Sequence, residues 1–374
     1  MVLLFEHPQK EHIKTLHFSH PPFCHKRLSS YIVLSMFCYT HQFSALSRML
    51  GLSVGIFFSI STHVFAQKNQ KENFNQQITF TGDNNFLLFN GDDGYYTSGV
   101  FLRYDRLRSK SLHKKQVFSF ELGQQLYTAY SRKILPNPTS QFPGGLSQID
   151  RPVAGYLFAK TSLSTVFNNN ILLSVGVSAG SIGDHSYGRE IYAFWHETIG
   201  VKSHWNWVWD YQVEDKLGAN AHVTLALPVV HNNQRFQLTP ITEATAGTSF
   251  TELTQAVVIQ YGRLLKMHNS SFWQTRLQSN PDPENNAFEL FLYLKPAITY
   301  QLYNATIEGS RYASEQRGIT DIPMSWVGSY TAGLCFAKAR YSLSYQFVVQ
   351  TREAKRQFHH QSHASISMTY RFGN

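Results

Sequence analysis

Alternation of apolar and polar side chains with a period of two, in run after run, most constrains what this chain can become. Ala364, Ile366, Met368, Tyr370 and Phe372 alternate with Ser365, Ser367, Thr369 and Arg371. Upstream, Tyr341, Leu343, Tyr345, Phe347 and Val349 alternate with Ser342, Ser344 and Gln346. Leu290, Leu292, Leu294, Ile298, Tyr300 and Leu302 share one face of another long run, and similar stretches start near Val100, Phe118, Ile171, Ala221 and Val257. A period of two is that of a strand with unlike faces, whereas an amphipathic helix repeats every 3.6 residues. Many runs are about nine to eleven residues long, the length a tilted strand needs to cross a bilayer.

Composition narrows the choice. Aromatic residues make up 14% of the 374 residues and charged residues 15%. Disordered and collagen-like chains lack such aromatic content. No stretch approaches the roughly 18 consecutive apolar residues of a spanning helix. Two architectures remain, a soluble β-sandwich and a transmembrane β-barrel. Asn168-Asn169-Asn170, His231-Asn232-Asn233 and Ala337-Lys338-Ala339 read as tight links, while longer connections run near 131–150, 181–204, 266–287 and 304–326. Tight turns at one end and long loops at the other are the barrel pattern. The polar face is Ser, Thr, Gln and Gly with few charges, and the apolar face carries aromatics near strand ends. Both suit an aqueous lumen and interfacial girdles. The expected fold is all-β, a single transmembrane antiparallel barrel with a short helix in an extracellular loop.

Residues 50–61, LGLSVGIFFSIS, form an apolar core of signal-peptide length behind Arg48. Val64 and Ala66 take the −3 and −1 positions of a cleavage site before Gln67. The expected organisation is an N-terminal extension and signal peptide over 1–66, with translation starting at Met1, Met36 or Met49, and a barrel over 67–374. Removing five Lys/Arg and two Glu leaves 28 basic and 22 acidic side chains, a net charge of +6. Cys24 and Cys38 precede the cleavage site, so Cys335 alone remains and no internal disulfide or cysteine-based metal site is available.

Two segments carry more chemistry than a scaffold needs. Asp83-Asn84-Asn85-Phe86, followed by Asp92-Asp93-Gly94-Tyr95-Tyr96-Thr97-Ser98-Gly99, gathers acids, amides and hydroxyls. Such oxygens suit a hard cation, but turn formation accounts for the same residues and is the reading that composition alone favours. Arg189 to Gly200 places Ile191, Phe194, Trp195 and Ile199 at helical spacing and contains His196, a side chain matched to general-base work near neutral pH. No Gly-x-Ser-x-Gly elbow or His-Glu-x-x-His motif is present. His363 and His268 each stand two residues before a serine and read as strand and loop residues, and the tandem His359-His360 is weak evidence for a metal. Dispersed basic residues imply no nucleic-acid partner.

The order of these blocks resembles the outer-membrane lipid A 3′-O-deacylase family. Asp83-Asn84-Asn85-Phe86 with the Tyr95-Tyr96-Thr97-Ser98-Gly99 segment is similar to its N-terminal signature. Asp150-Arg151-Pro152-Val153-Ala154-Gly155 looks like its next block, and His196-x-x-Ile199-Gly200 with Trp209-Asp210-x-Gln212 like its histidine segment. The resemblance implies a barrel of about twelve strands in the bacterial outer membrane, with its site between barrel wall and loop helix. It implies His196 as the general base acting on water, Thr97 as a polar residue lining the site, and Lys133 near a family lysine. Calcium would be held at Asn84 and Asn85, where Asn85 stands in place of the family's usual Asp. Asp83 or Asp93 would then supply the missing charge. Lys202 occupies a position where some members carry an acid, leaving Glu197 or Asp210 to orient His196.

The implied reaction is calcium-dependent hydrolysis of the ester that joins the 3′-acyloxyacyl group to lipid A. Lipopolysaccharide is the implied substrate, and no protein partner is implied. Two rivals stand beside it: an outer-membrane phospholipase or esterase acting on glycerophospholipid, and a porin-like barrel without catalysis.

Overall fold

The computed structural model describes residues 74–88, 94–111, 113–133, 148–198, 206–232, 235–278, 287–311 and 318–373. The cleavage site before Gln67 and the side chains of Asp92, Asp93 and Lys202 lie outside them. Among the described residues, thirteen strands form one antiparallel sheet. They are β1 (Gln76–Asn84), β2 (Tyr95–Lys110), β3 (Lys114–Thr128), β4 (Ala154–Phe167), β5 (Leu172–Ile182), β6 (Lys216–Ala226) and β7 (Val230–Asn232). β8 (Phe236–Gly247), β9 (Phe250–Arg263), β10 (Glu289–Asn304), β11 (Trp326–Lys338), β12 (Tyr341–Gln350) and β13 (Gln361–Phe372) complete the set. The short β7 continues β6, and both pair with β8, so the wall has twelve staves. β13 closes on β1, from Gln76 opposite Phe372 to Asn84 opposite Ala364. The closed barrel of about twelve strands is the fold the alternation and the resemblance predict.

Strand parity assigns the two faces. Ile78, Phe80, Leu102, Phe120, Leu122, Leu292 and Ile298 are exposed on the outer surface. Their neighbours Gln77, Thr79, Asp105, Ser119 and Gln260 are buried in the lumen. The lumen is more charged than the sequence reading expects. Arg103 pairs with Asp105 at 2.8 Å, and Lys295 donates to Glu243 at 3.1 Å. Charges survive inside because opposite signs meet, within β2 and across β9 from β10 to β8, which offsets their desolvation.

Loop placement departs from expectation once. The connections after β1, β3, β5, β10 and β12 emerge at one end, and the tight turns after β2, β4 and β11 at the other. The connection near 266–287, expected among the long loops, instead leaves from the turn end, and its described part, up to residue 278, folds into the lumen. Lys115 Nζ there donates to the carbonyls of His268 and Thr275, each at 2.6 Å. Glu289 accepts from Ser271 N at 2.8 Å and Ser271 Oγ at 2.7 Å, and Phe272 meets Tyr293 edge-on at 5.0 Å. These buried charge-assisted bonds hold the loop as a plug. A wall opened by twelve staves is thus filled at its turn end, unlike an open pore.

The long loop after β5 carries α1 (Gly188–Thr198), the helix read from the spacing of residues 189–200. It seats on the outside of the wall. Ser186 O accepts from Gln124 Nε2 at 2.8 Å, and Gln124 lies on the outer face of β3. Gly155, on the outer face of β4, permits the approach: a Cβ there would stand 2.1 Å from Ser186 Oγ and 2.9 Å from Gly188 Cα. Tyr192 then packs with Leu126, Ala129, Ile149, Val153, Val208 and Trp209. Each large apolar side chain in that cluster contributes roughly 1.5–3 kcal/mol through burial. The helix stays because the cluster holds it.

Candidate active site

One row of outward-facing residues crosses four strands at the loop end. The register sets Asn84 of β1 opposite Ser98 of β2, Ser98 opposite Leu126 of β3, and Leu126 opposite Gly155 of β4. Strands lie about 4.8 Å apart, so Asn84 stands roughly 10 Å from Leu126, over which α1 packs. A bulge between Tyr96 and Ser98 inserts Thr97 beside this row. Thr97 is buried, and its Oγ1 lies 2.6 Å from Thr128 Oγ1, an outward residue of β3. The bulge therefore re-aims a hydroxyl that strict alternation would turn inward.

His196 sits one helical turn after Tyr192 on α1, half-buried. Its Nδ1 is 2.8 Å from the Tyr192 carbonyl, and its ring centroid lies 4.1 Å from the Tyr192 ring. A carbonyl only accepts, so Nδ1 carries the proton and Nε2 presents its lone pair. Neither acid weighed as orienting partner does this work. Glu197 is exposed, and Asp210 accepts from Arg189 Nη1 at 2.6 Å. Among the described residues no hydrogen bond joins His196 to Asn84, Asn85 or Thr97.

The amide pair divides its tasks. Asn84 Oδ1 accepts from Phe86 N at 2.6 Å and turns the chain out of β1. Asn85 is buried, and its Nδ2 donates to Gly94 O at 3.1 Å, which fixes the amide orientation. Among the described residues its buried Oδ1 has no hydrogen-bond partner. An orphaned acceptor oxygen of this kind costs energy unless a cation or donor meets it. The Asn85 oxygen is of the type a hard cation takes, whereas the Asn84 oxygen already accepts from Phe86 N, and among the described residues no group of three or more His, Cys, Asp or Glu could hold a metal.

Asp83 is on the other face of β1. Its Oδ2 accepts from Tyr96 OH at 2.9 Å, and Tyr96 stacks in the lumen against His363 at 4.6 Å and Tyr127 at 5.3 Å. Strand parity separates it from Asn84.

Lys133 closes a different side. It follows β3 in a one-turn 3-10 segment, with Nζ 4.8 Å from the Tyr130 ring centroid. Tyr130 meets the His359 ring edge-on at 5.1 Å. A cavity of about 290 Å³ is lined by Asn85, Gly94, Tyr95, Tyr130, His359 and His360, with Gln361 and Ser362. Sequence reasoning set the tandem histidines aside, and the barrel closure brings them to the wall of the cavity beside Asn85. It named Ser98 only within its segment and did not single out Thr128, which lies two residues beyond the row on β3.

The Asp150-Arg151 block supports this rim from behind. Asp150 Oδ2 accepts from Tyr95 OH at 2.7 Å and Oδ1 from Ser131 N at 3.0 Å. Tyr95 OH in turn accepts from the backbone of Phe358 and His359, each at 3.1 Å. Arg151, fully buried, donates from Nε to Glu353 Oε1 at 2.7 Å and from Nη2 to Thr306 Oγ1 at 3.1 Å.

Comparison with known proteins agrees with this architecture. Residues 52–372 match the model of a family described as outer membrane protein LpxR. Among solved structures, LpxR from Salmonella typhimurium superposes with a TM-score of 0.64 at 17% identity, covering 79% of this chain and 100% of that one. A KdgM porin in complex with disordered oligogalacturonate gives 0.36 at 9% identity, covering 79% and 99%. The β domain of the Bordetella autotransporter Brka gives 0.39 at 9%, covering 80% and 100%. No curated protein matches. The Salmonella likeness fixes the barrel, and the family match spans most of the sequence. The chain therefore belongs to the outer membrane protein LpxR family, the lipid A-modifying barrels of the bacterial outer membrane that its motif order resembles.

Proposed function

We propose that this protein is a lipid A 3′-O-deacylase: it hydrolyses the ester joining the 3′-acyloxyacyl group to lipid A, with His196 as general base. The observation that carries the reading is the Nδ1 contact to the Tyr192 carbonyl at 2.8 Å, which leaves Nε2 free to take a proton beside the outer face of the barrel. Water attacks the ester carbonyl as its proton passes to Nε2. The imidazolium then returns that proton to the departing sugar oxygen, so the products are a carboxylic acid and a free 3′-hydroxyl. No serine nucleophile is required.

Asn84 and Asn85 would hold calcium through their amide oxygens, and the bound ion would supply positive charge to the developing oxyanion. The Thr97–Thr128 hydroxyl pair forms the floor between the Asn84 row and the helix. Lys133, its Nζ over the Tyr130 ring that lines the cavity, adds positive charge on that side, which suits an anionic substrate.

Mass spectrometry of lipid A from an outer-membrane host expressing the full chain tests the reading, with and without calcium. Loss of a 3′-acyloxyacyl unit is expected only with calcium. Unchanged lipid A from a barrel folded in the outer membrane sinks it, and a changed glycerophospholipid profile would favour the phospholipase instead.

Asn85→Asp is expected to restore a negative ligand and lower the calcium needed for half-maximal activity by roughly tenfold or more. The same change sets a carboxylate against Gly94 O, which Asn85 Nδ2 now satisfies. In chelator the variant should therefore melt below the wild type, and calcium should reverse the order. Equal melting temperatures under all conditions would remove Asn85 from the cation site.

A further inference from the structure

A lysine and a glutamate in the lumen face one cavity without a partner. Other lumenal charges are matched: Arg103 with Asp105, Lys295 with Glu243, and Arg151 with Glu353. Lys160 of β4 and Glu252 of β9, both half-buried at inward positions, make no hydrogen bond or ion pair among the described residues. Glu121 stands directly opposite Lys160 on β3, but its carboxylate reaches Arg103, at 3.9 Å. His222, on the wall between them, is engaged at both nitrogens. Its Nε2 is 2.8 Å from Ser178 Oγ and its Nδ1 3.3 Å from Thr245 Oγ1. A group of this kind is held out of bulk water at a cost unless a counter-charge meets it.

The space they share is a chamber. Its volume is about 340 Å³, within the range of small-molecule sites. Tyr156 of β4 meets Phe250 of β9 edge-on at 5.2 Å, so rings from the two strands touch across the lumen. Lys160 lies two inward positions below Tyr156, and Glu252 one below Phe250. Phe158 stacks on Tyr156 at 4.9 Å and adds an apolar face beside Lys160. Beneath, an adjoining cavity of about 200 Å³ shares Glu121, Lys160 and His222 and ends on Phe272 and Trp273 of the plug. With the turn end filled, a solute that reaches Lys160 and Glu252 is held rather than passed through.

The two groups decide the class of solute. An anion on Lys160 would leave Glu252 unmatched, and a cation on Glu252 would leave Lys160 unmatched. A molecule carrying both an ammonium and a carboxylate matches both and adds no net charge to the lumen. The rings of Tyr156 and Phe250 also suit an ammonium group. We propose that this chamber is a binding site for a small zwitterion, an amino acid or a peptide of two or three residues, with its carboxylate on Lys160 and its ammonium on Glu252. The site lies inside the barrel, apart from the outer-face residues assigned to hydrolysis, and does not depend on that reading.

The full chain, folded in detergent micelles, is dialysed to equilibrium against radiolabelled alanine, dialanine or trialanine. At least one probe is expected to bind, at one molecule per barrel. The tightest of the three reports the spacing of the two charges and tells amino acid from peptide. Lys160→Met and Glu252→Gln should each weaken that probe at least about tenfold. On the wild type, the same probe acetylated at its amine or amidated at its carboxylate should weaken as much, and this arm needs no variant to fold. No binding of any of the three at millimolar concentration overturns the proposal. So does an affinity that ignores the loss of either charge, in the protein or in the probe. Lipid A hydrolysis bears on neither arm: its absence sinks the deacylase reading and leaves the lumen site to be decided by dialysis.

Discussion

His196→Ala is expected to lower ester hydrolysis by about 10²–10⁴-fold with the barrel intact. Among the described residues the imidazole makes one hydrogen bond, to a carbonyl of its own helix, and packs at a tilt on the Tyr192 ring. Its removal therefore leaves no buried partner stranded, and the thermal transition should move little. Glu197→Gln and Asp210→Asn are the informative companions. If the Tyr192 carbonyl orients the ring, both should retain activity within a few-fold, since Glu197 points to solvent and Asp210 is engaged by Arg189. A loss in either comparable to that of His196→Ala would mean that a carboxylate orients the base. The whole assignment of Nε2 as proton acceptor would then need to be redrawn. Activity retained in His196→Ala would end the role of this histidine.

The backbone partner of His196 shows what a sequence conceals. A side-chain acid leaves a letter to be found, and a carbonyl does not, so the search for an orienting residue settled on Glu197 and Asp210. The faces of the strands were legible because a period of two leaves no freedom: once Ile78 and Phe80 point outward, Gln77, Thr79 and Asp83 point inward. That same parity separates Asp83 from Asn84, and it was readable before the structure. Thr97 escapes parity through a bulge, which nothing in its neighbours announces. The helix was legible from the spacing of Ile191, Phe194 and Trp195, but not the face it buries. Ile191 packs beside Tyr192 on the wall cluster, while Phe194 and Trp195 of the same set stay exposed. The plug at 264–278 was unreadable because loop length says nothing about which way a loop folds. His359 and His360 reached the cavity of Asn85 only through barrel closure, which joins the last strand to the first. Nearly three quarters of the chain separates those residues, and no local pattern links them.

Arg151→Met is expected to loosen the loop end without opening the barrel. The guanidinium is fully buried and joins three connections. Nε holds Glu353 of the β12–β13 loop, Nη2 holds Thr306 after β10, and the group lies 4.2 Å over the Tyr127 ring of β3. Methionine fills much of the volume but leaves the Glu353 carboxylate buried without its cation. Stranding one member of a buried pair typically costs about 3–5 kcal/mol. That cost should fall on the loops, because the strand ladders do not depend on Arg151. Hydrogen exchange should therefore rise in residues 148–153 and 351–360 and remain slow in β1 and β13. Since the 351–360 loop carries His359 to the cavity of Asn85, and Asp150 tethers Tyr95, activity should fall with loop protection. The double variant Arg151→Met/Glu353→Leu removes the stranded charge and should recover a large share of the protection. If the double variant is as loose as the sum of the two singles, the pair is not coupled. The rim would then be held by the Asp150–Tyr95 contact instead.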